Sequence, residues 1–429
     1  MLDKAIASRK FAIRGASLCD QLFFSAANFI LTILLARHYP EYCLAGYGVG
    51  LSIALILQGL QRTSYIVQNS VLRPAILRRR AGKVLGQQLL VWGGLCAGQL
   101  LIFWAASLIW AADGYFLAIA SSTIVCTLIY IQLDFDRIVL IKHERFAQPL
   151  AASLIFLALS IALFFLAPRY GIGYPALMGI VALFCLLKCL WLMISVGRPD
   201  FFGGWRLLKR DFGRNFTSSL LGVVGYAGFG SGPIFILSAA APHTQTAAFG
   251  AMRGLTQPLM IVIRSMDVVD KNFFQSGQGS PESMRRSLLR LLAGYGGLSL
   301  LVLAALTAFG PLLVQFAYGE KYAAFSPLLI GWGIIMAMFA VTYPLETVIV
   351  RLGKLRQYNA CRVPAGLAGI AFAAVLCAPL GAWGAIIGVI AGWVVSIACA
   401  LWLVREVLFP KKEKNTPDDF FIENKTGTA

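Results

Sequence analysis

Twelve long apolar segments, separated by short polar stretches, run through almost the whole 429-residue chain. A helix needs about 20 mostly apolar residues to cross a bilayer, and each segment is long enough. Their length and mixed apolar content favour helices over the roughly ten-residue alternating strands of a membrane barrel. The sequence therefore predicts an all-α membrane protein with about 12 transmembrane helices. The predicted spans are residues 15–36, 44–66, 85–110, 115–135, 147–168, 174–196, 215–240, 246–266, 287–309, 324–350, 360–379 and 382–404.

Lysine and arginine are distributed very unevenly among the segments that join these spans. With the N-terminus placed in the cytoplasm, 32 of the 37 basic residues fall in inner segments and 3 in outer loops, while Lys188 and Arg253 lie within helices. Basic residues accumulate on the cytoplasmic side of membrane proteins. We therefore predict twelve crossings with both termini cytoplasmic. The net charge of +18 then reflects topology and contact with anionic membrane lipids, and requires no nucleic-acid partner.

Short sequence matches indicate an internal duplication. The segment RIVLIKHER at 137–145 resembles ETVIVRLGK at 346–354, and Gly48 matches Gly250 within a second pair of similar segments. In both copies the segments occupy corresponding helices that run in the same direction.

The duplication predicts two parallel six-helix halves, residues 1–200 and 201–405. A pseudo-two-fold axis along the membrane normal would relate them, and a cleft between them is the expected place for a substrate. The polar residues 406–429 are predicted to form a disordered cytoplasmic tail.

Polar side chains recur on single faces of several helices, within stripes of about 80° on the first and eighth. Such stripes line a wet cavity or join helices by hydrogen bonds, because polar groups facing lipid are costly. For Arg253 we favour the cavity, because its guanidinium cannot lose its charge and its predicted position is near the bilayer middle. The candidate substrate-binding residues are Arg253, Arg264, Arg62, Gln257, Lys188, Gln21 and Asn28.

The duplicated segment reverses one charge, because Arg137 in the first copy corresponds to Glu346 in the second. Equivalent positions can meet across a two-fold axis, where Arg and Glu attract. We therefore regard Arg137 and Glu346 as candidate gate residues that pair when the cytoplasmic side closes, and Asp20 as a candidate coupling residue. In the alternative interpretation each pairs within its own half, Arg137 with Asp134 or Asp136 and Glu346 with a neighbouring base.

One short motif is typical of an enzyme. The sequence DFD, with Asp134 and Asp136, resembles the metal-binding motif of glycosyltransferases, but no nucleotide-binding domain or large loop surrounds it. We interpret it as a charged helix terminus. No Walker loop occurs, and the three His and nine Cys residues show no metal-ligand spacing. The sequence therefore predicts a protein that is not an enzyme and has no cofactor or metal.

The twelve helices in two same-direction halves, the sequence YGEKY at 318–322 and the basic inner segments Arg137–Arg145 and Arg351–Arg356 resemble a known family. It is the polysaccharide-transporter branch of the multidrug/oligosaccharidyl-lipid/polysaccharide (MOP) exporter superfamily, which includes the O-antigen and exopolysaccharide flippases. The resemblance implies a multi-pass protein of the bacterial inner membrane that flips an undecaprenyl-diphosphate-linked oligosaccharide to the outer leaflet. It further implies alternating access, coupling to H⁺ or Na⁺, and polysaccharide polymerase and glycosyltransferases as candidate partners.

Two other functions stay open at this point. A cation-coupled multidrug exporter of the same superfamily would rely on buried acids, for which Asp20 is the clear candidate. A membrane-embedded glycosyltransferase would use Asp134 and Asp136. The mid-membrane Arg253, with Lys188, suits a diphosphate better than a cationic drug, because Arg offers paired donors to phosphate oxygens.

Reporter fusions test the predicted topology. A reporter that is active only outside the cytoplasm should be active when fused after Ala112, Gly173 or Glu320, because all three lie in predicted outer loops. The same reporter fused after Arg198 should be inactive. An inactive fusion at any of the three outer positions would contradict the twelve-crossing topology.

Overall fold

The computed structural model of the chain is built from long helices and describes residues 2–66, 69, 74–109, 113–143, 145, 147–276 and 281–409. The first six long helices are α1 (Leu2–His38), α2 (Glu41–Gln61), α3 (Ala81–Ile109), α4 (Gly114–Lys142), α5 (Ala147–Arg169) and α6 (Tyr174–Val196). The last six are α7 (Phe201–Gly230, continued by Gly232–Ala240), α8 (His243–Ser276), α9 (Pro281–Tyr318), α10 (Leu328–Arg351), α11 (Leu355–Leu380) and α12 (Ala382–Leu408). Shorter helical segments are Arg62–Ile66, Pro74–Arg79 and Glu320–Phe325. No strand occurs among the described residues.

These helices confirm the predicted all-α membrane fold. Ten helices of the described chain are long and apolar enough to cross a bilayer, and the two segments of α7 together make an eleventh. Helix α8 is equally long but is not among them, because Arg253 and Gln257 lie in its apolar part. Helices α1 and α9 begin before their predicted spans, since hydropathy detects only the part of a helix that lies within lipid. Gly173 lies between α5 and α6, and Glu320 begins the short segment between α9 and α10, so both lie between long helices as expected. Ala112 lies outside the described residues.

Helix α7 is bent where the sequence GYAGFGSGP predicts a break. Its segments Leu220–Gly230 and Gly232–Ala240 meet at 43°. Pro233 lies in the first turn of the second segment. Proline is tolerated there, because the N–H groups of a first turn have no helical partner. In a continuous helix the ring of Pro233 would instead clash with the preceding turn, so the helix bends. The predicted bend is confirmed in α7. The sequence also predicts that Pro258 interrupts α8, and this prediction is wrong, because α8 continues as one helix through Pro258.

The helices pack mainly with neighbours from their own set of six. Helix α2 packs on α4, α1 on α5 and α4 on α6, while α11 packs on both α7 and α12 and α9 packs on α10. Contacts between the two sets join α3 to α7 and join α8 to α1 and α2. The core formed by these contacts is continuous across both sets.

Helices α2 and α8 cross at a pair of glycines that the sequence repeat makes equivalent. A Cβ atom added to Gly48 would lie 3.9 Å from the Cα of Gly250, and the reverse distance is 3.8 Å. Residues that meet their own equivalents lie on a two-fold axis, so this contact supports the proposed relation between residues 1–200 and 201–405. That division stays a prediction. In the predicted tail 406–429, α12 continues to Leu408, and residues 410–429 lie outside the described residues.

Gly384, Gly388 and Gly392 form a ridge of small residues on one face of α12, and their four-residue spacing predicts close helix packing. A Cβ at Gly384 would lie 2.2 Å from the carbonyl oxygen of Leu376, and one at Gly392 would lie 2.1 Å from the Cβ of Phe229. Gly388 makes a similar approach to α11. The ridge therefore brings α12 against α11 and α7, as small residues do in membrane helix pairs.

The variant Gly392→Ala tests this packing. The added methyl group cannot fit beside Phe229, so we expect a loss of about 1–3 kcal/mol of stability and a lower Tm in detergent. Gly297→Ala in α9 is the matched control, because a Cβ there meets nothing within 4 Å and alanine favours the helix. Equal melting temperatures for the two variants would contradict the close contact.

Candidate functional site

Arg253 lies where the first six helices meet the last six. Its Nη1 lies 3.4 Å from the hydroxyl of Ser52 on α2, and its guanidinium lies 5.8 Å from the centre of the Trp332 ring on α10. The next residue, Gly254, faces Tyr318 of α9 and Thr32 of α1. Helix α8 therefore presents a permanent positive charge, half-buried, at the centre of the helix assembly.

The other candidate substrate-binding residues are spread over several environments. Gln257 is half-buried one turn further along α8, and Gln21 is half-buried on α1. Asn28 donates to the carbonyl of Phe24 at 2.8 Å and accepts from Tyr47 at 3.5 Å, so it joins α1 to α2. Arg62 is exposed just after α2. The side chain of Arg264 lies outside the described residues.

An ion pair joins α1 to α4. Arg137 Nε donates to Asp20 Oδ2 at 2.5 Å, and the Ser153 hydroxyl on α5 donates to Asp20 Oδ1 at 2.5 Å. The Arg137 guanidinium also lies 5.7 Å from the centre of the Phe24 ring. The Asp20 side chain is 4% exposed, so its charge is compensated inside the protein.

A second ion pair begins at the adjacent residue of α4. Asp136 Oδ2 lies 2.7 Å from Lys188 Nζ on α6, and Gln132 donates to Asp136 Oδ1 at 2.6 Å. The hydrogen bonds continue from Gln88 to Gln132 at 3.0 Å and from Gln61 to Gln88 at 2.7 Å. The structure thus assigns Lys188 an internal carboxylate partner, whereas the sequence suggested a substrate-binding role.

Sequence reasoning missed Gln88 and Gln132, which connect this network. Both are buried within apolar helices. An amide at such a position needs a partner, because an unsatisfied polar group in an apolar environment is costly. Their position within predicted spans was therefore a signal that could have identified them.

A small cavity lies between the two ion pairs. Its volume is about 20 Å³, and its walls include Phe24, Gln132, Ser153 and Lys188. One water molecule needs about 10–15 Å³ and two or more polar partners, so the cavity can hold about one. It is too small for a lipid headgroup. In the described part of the chain, no three His, Cys, Asp or Glu side chains converge to bind a metal ion.

Glu346 pairs within the last six helices. Its carboxylate accepts from Arg362 on α11, whose guanidinium lies 4.6 Å from the centre of the Tyr358 ring and 5.8 Å from that of Tyr226. In this conformation each of the two candidate gate residues therefore has an ion-pair partner in its own set of helices, as the alternative interpretation expected. The partner of Arg137 is Asp20, which that interpretation did not name. The gate across the axis stays a prediction for other conformations.

The geometry of Asp136 disfavours a glycosyltransferase site. Its side chain is 2% exposed and its two oxygens bind Lys188 and Gln132, which leaves little room for a metal-bound nucleotide. The Asp134 side chain lies outside the described residues.

On the predicted outer side, several contacts join the first six helices to the last six. Arg37 at the end of α1 donates to the carbonyl of Ala317 at 2.9 Å. Glu41 accepts from Thr244 and lies 3.5 Å from Lys321. These contacts close the predicted outer end of the seam between α1–α2 and α8–α9.

The fold is that of transporters of the MOP superfamily. An inward-facing multidrug resistance MATE family transporter aligns with a TM-score of 0.65 and 16% identity, covering 90% of this chain and 94% of that one. The lipid II flippase MurJ in an inward closed conformation aligns with a TM-score of 0.66 and 13% identity, covering 92% and 87%. A MOP superfamily transporter from Pyrococcus furiosus, described as having a binding pocket of reverse polarity, aligns with a TM-score of 0.53 and 16% identity, covering 93% of both chains. No protein-family profile and no curated protein sequence matches.

Neutralising variants test the Asp20–Arg137 pair. Arg137→Gln leaves a buried carboxylate without its cation, which should cost about 3–5 kcal/mol and lower the Tm and the folded yield. Asp20→Asn combined with Arg137→Gln removes both charges and should recover most of that loss. A double variant as unstable as Arg137→Gln alone would contradict the pairing.

Charge reversal separates this pair from the gate hypothesis. If Arg137 acts only through Asp20, combining Arg137→Glu with Glu346→Arg should not restore transport lost in either single variant. Recovery of transport in that double variant would instead support pairing across the axis.

Proposed function

We propose that this chain, which has the fold of MOP superfamily transporters, is a flippase. Its substrate would be an undecaprenyl-diphosphate-linked oligosaccharide, moved from the cytoplasmic to the outer leaflet for O-antigen, capsule or exopolysaccharide synthesis. The position of Arg253, at the seam between the two sets of six helices, is the observation that carries the proposal. Bacterial inner-membrane location, with glycosyltransferases and a polysaccharide polymerase as functional partners, belongs to the same proposal.

The chemistry of Arg253 favours an anionic substrate. A guanidinium stays protonated in proteins, and its fixed pairs of N–H donors match the oxygens of a phosphate. The Arg253 side chain lies half-buried at the seam, near Ser52 and Trp332, where a diphosphate that enters between the two sets of helices could reach it. The diphosphate would bind the guanidinium while the polyprenyl chain remains in lipid.

The buried acids of the first six helices point the same way. Asp20 is bound to Arg137 and Asp136 to Lys188, so each carboxylate already has a fixed cation. A cationic drug would have to displace one of these bases. A multidrug exporter is the alternative function, supported by the fold likeness to a multidrug resistance transporter and by Asp20 as a buried acid of α1. A proton or sodium ion at Asp20 would require the Arg137 pair to open.

Alternating access fits the contacts between the two sets of helices. The outer contacts of Arg37 and Glu41 close one end of the seam, and two similar folds are described as inward-facing and inward closed. Opening to the outer side would break these polar contacts and the apolar contacts beside them, and it would leave the helix pairs within each set intact. The movement required for flipping is therefore compatible with the packing.

Variants of Arg253 test the proposed function. In proteoliposomes that contain a diphospholipid-linked oligosaccharide, Arg253→Ala should reduce flipping about ten- to a hundredfold, because one or two charge-assisted hydrogen bonds are lost. Arg253→Lys should recover activity only in part, since an ammonium lacks the paired donors. Arg169→Ala, which removes an exposed base at the end of α5, is the control and should flip normally.

Ligand-dependent melting separates the two candidate functions. Wild-type protein should gain Tm with a soluble diphospholipid analogue, and Arg253→Ala should lose most of this gain while keeping its own Tm without ligand. Normal flipping by Arg253→Ala would contradict the proposed substrate-binding role of Arg253. A gain in Tm with cationic drugs alone would favour the multidrug exporter.

A further inference from the structure

The first turns of α3 and α7 are held together through their backbones. The Asp200 amide donates to the carbonyl of Gly82 at 2.8 Å. A Cβ at Gly86 would lie 2.2 Å from the carbonyl oxygen of Asp200, and one at Gly204 would lie 2.4 Å from the Gln87 nitrogen. Only glycine allows this approach, so the two helices form a close junction at the predicted inner end.

An apolar cluster also holds this junction together. Leu77 of the segment Pro74–Arg79, Val84 and Leu85 of α3 and Leu192 of α6 are buried together, and Leu207 of α7 packs against them. The segment Pro74–Arg79 and helices α3, α6 and α7 therefore hold constant relative positions. The charged side chains on the outer surface of these four elements are therefore held in fixed positions relative to one another.

That outer surface, which we call the junction surface, is strongly basic. Its exposed basic side chains include Arg79, Arg80, Lys83, Arg198, Arg206 and Lys209. Its two acids are engaged locally, since Asp200 accepts from the amide of Gly203 at 2.8 Å and Asp211 binds Arg210 at 2.9 Å. The junction surface therefore carries an excess of positive charge.

Exposed aromatic rings lie beside these bases. Phe201, Phe202 and Trp205 are 51%, 67% and 57% exposed, and the Arg206 guanidinium lies 4.3 Å from the centre of the Phe202 ring. Aromatic rings and long basic side chains are typical of the membrane–water interface, where rings enter the headgroup layer and cations meet phosphates. The start of α7 thus combines both groups at the predicted inner end of the helices.

We propose that the junction surface binds the headgroup phosphate of an anionic phospholipid of the inner leaflet. Bases from Pro74–Arg79 and α3 on one side, and from residues 198–209 on the other, can contact one phosphate group together. Basic surfaces between membrane helices on the cytoplasmic side suit such headgroups. The acyl chains would extend past the exposed rings of Phe202 and Trp205. A bound lipid would therefore tie the first six helices to the last six at their inner ends.

Lipid-dependent melting of the full chain tests the proposal. We compare nanodiscs of phosphatidylcholine with nanodiscs of equal parts phosphatidylcholine and phosphatidylglycerol, and expect a higher Tm in the second. The triple variant Arg198→Gln, Arg206→Gln, Lys209→Gln should lose about half of this gain or more, with an unchanged Tm in phosphatidylcholine. Native mass spectrometry should show one fewer retained phosphatidylglycerol, which gives a measure independent of stability.

A matched triple variant separates a specific surface from general charge. Arg285→Gln, Arg286→Gln and Arg290→Gln remove three exposed bases from the first turns of α9 and should keep the full gain. An equal loss in both triple variants, or no gain in the wild type, would overturn the proposal.

Two further arms test the occupant. Trp205→Ala leaves the charge unchanged and should still reduce the gain in Tm, because the ring is proposed to contact the acyl chains. A full gain in Tm in this variant would show that the aromatic rings take no part in lipid binding. Inorganic phosphate added to phosphatidylcholine nanodiscs should not raise the Tm, and an equal rise would show a site for free anions instead.

Discussion

A charge buried among membrane helices needs an opposite charge close by, and α4 meets this requirement at two consecutive residues. Asp136 binds Lys188 of α6, and Arg137 binds Asp20 of α1, which also accepts from Ser153 of α5. Consecutive residues point about 100° apart around a helix, so one turn of α4 reaches three neighbours. Removing one member would leave an uncompensated buried charge, so the arrangement of the first six helices depends on these pairs.

The last six helices satisfy the same requirement with other residues. Glu346, which corresponds to Arg137 in the repeat, binds Arg362. Arg362 in turn corresponds to Ser153, because both matching pairs are separated by 209 residues. The charge at the α4 position is thus reversed in α10, and the partner has moved from the first helix of the set to the fifth. The two matching segments both carry a compensated charge, although neither the residues nor the partner helix is the same.

Because these charges are compensated internally, the seam between the two sets of helices has a different character. Gly48 and Gly250 let α2 and α8 cross closely, and Arg253 lies about one turn from that crossing. On the predicted outer side, the contacts across the seam include the polar contacts of Arg37 and Glu41 and a ring contact between Tyr115 and His243, whereas the α3–α7 junction includes close backbone contacts. Helices that pack mainly within their own set suit rigid-body movement of one set against the other, and Arg253 lies at the seam between the two sets.

The sequence by itself determined the helical membrane fold, the bend at Pro233 and the close packing of the α12 glycines, because hydropathy, proline and glycine act over one or two helical turns. It also identified Arg253 as a charge placed within a span. Only the tertiary structure decided that Lys188 belongs to Asp136 and that Arg137 belongs to Asp20, 117 residues away in the chain. A single sequence shows how the residues of one helix are arranged around its axis. It does not show which helix packs against each face, and the partner of a buried charge depends on that packing.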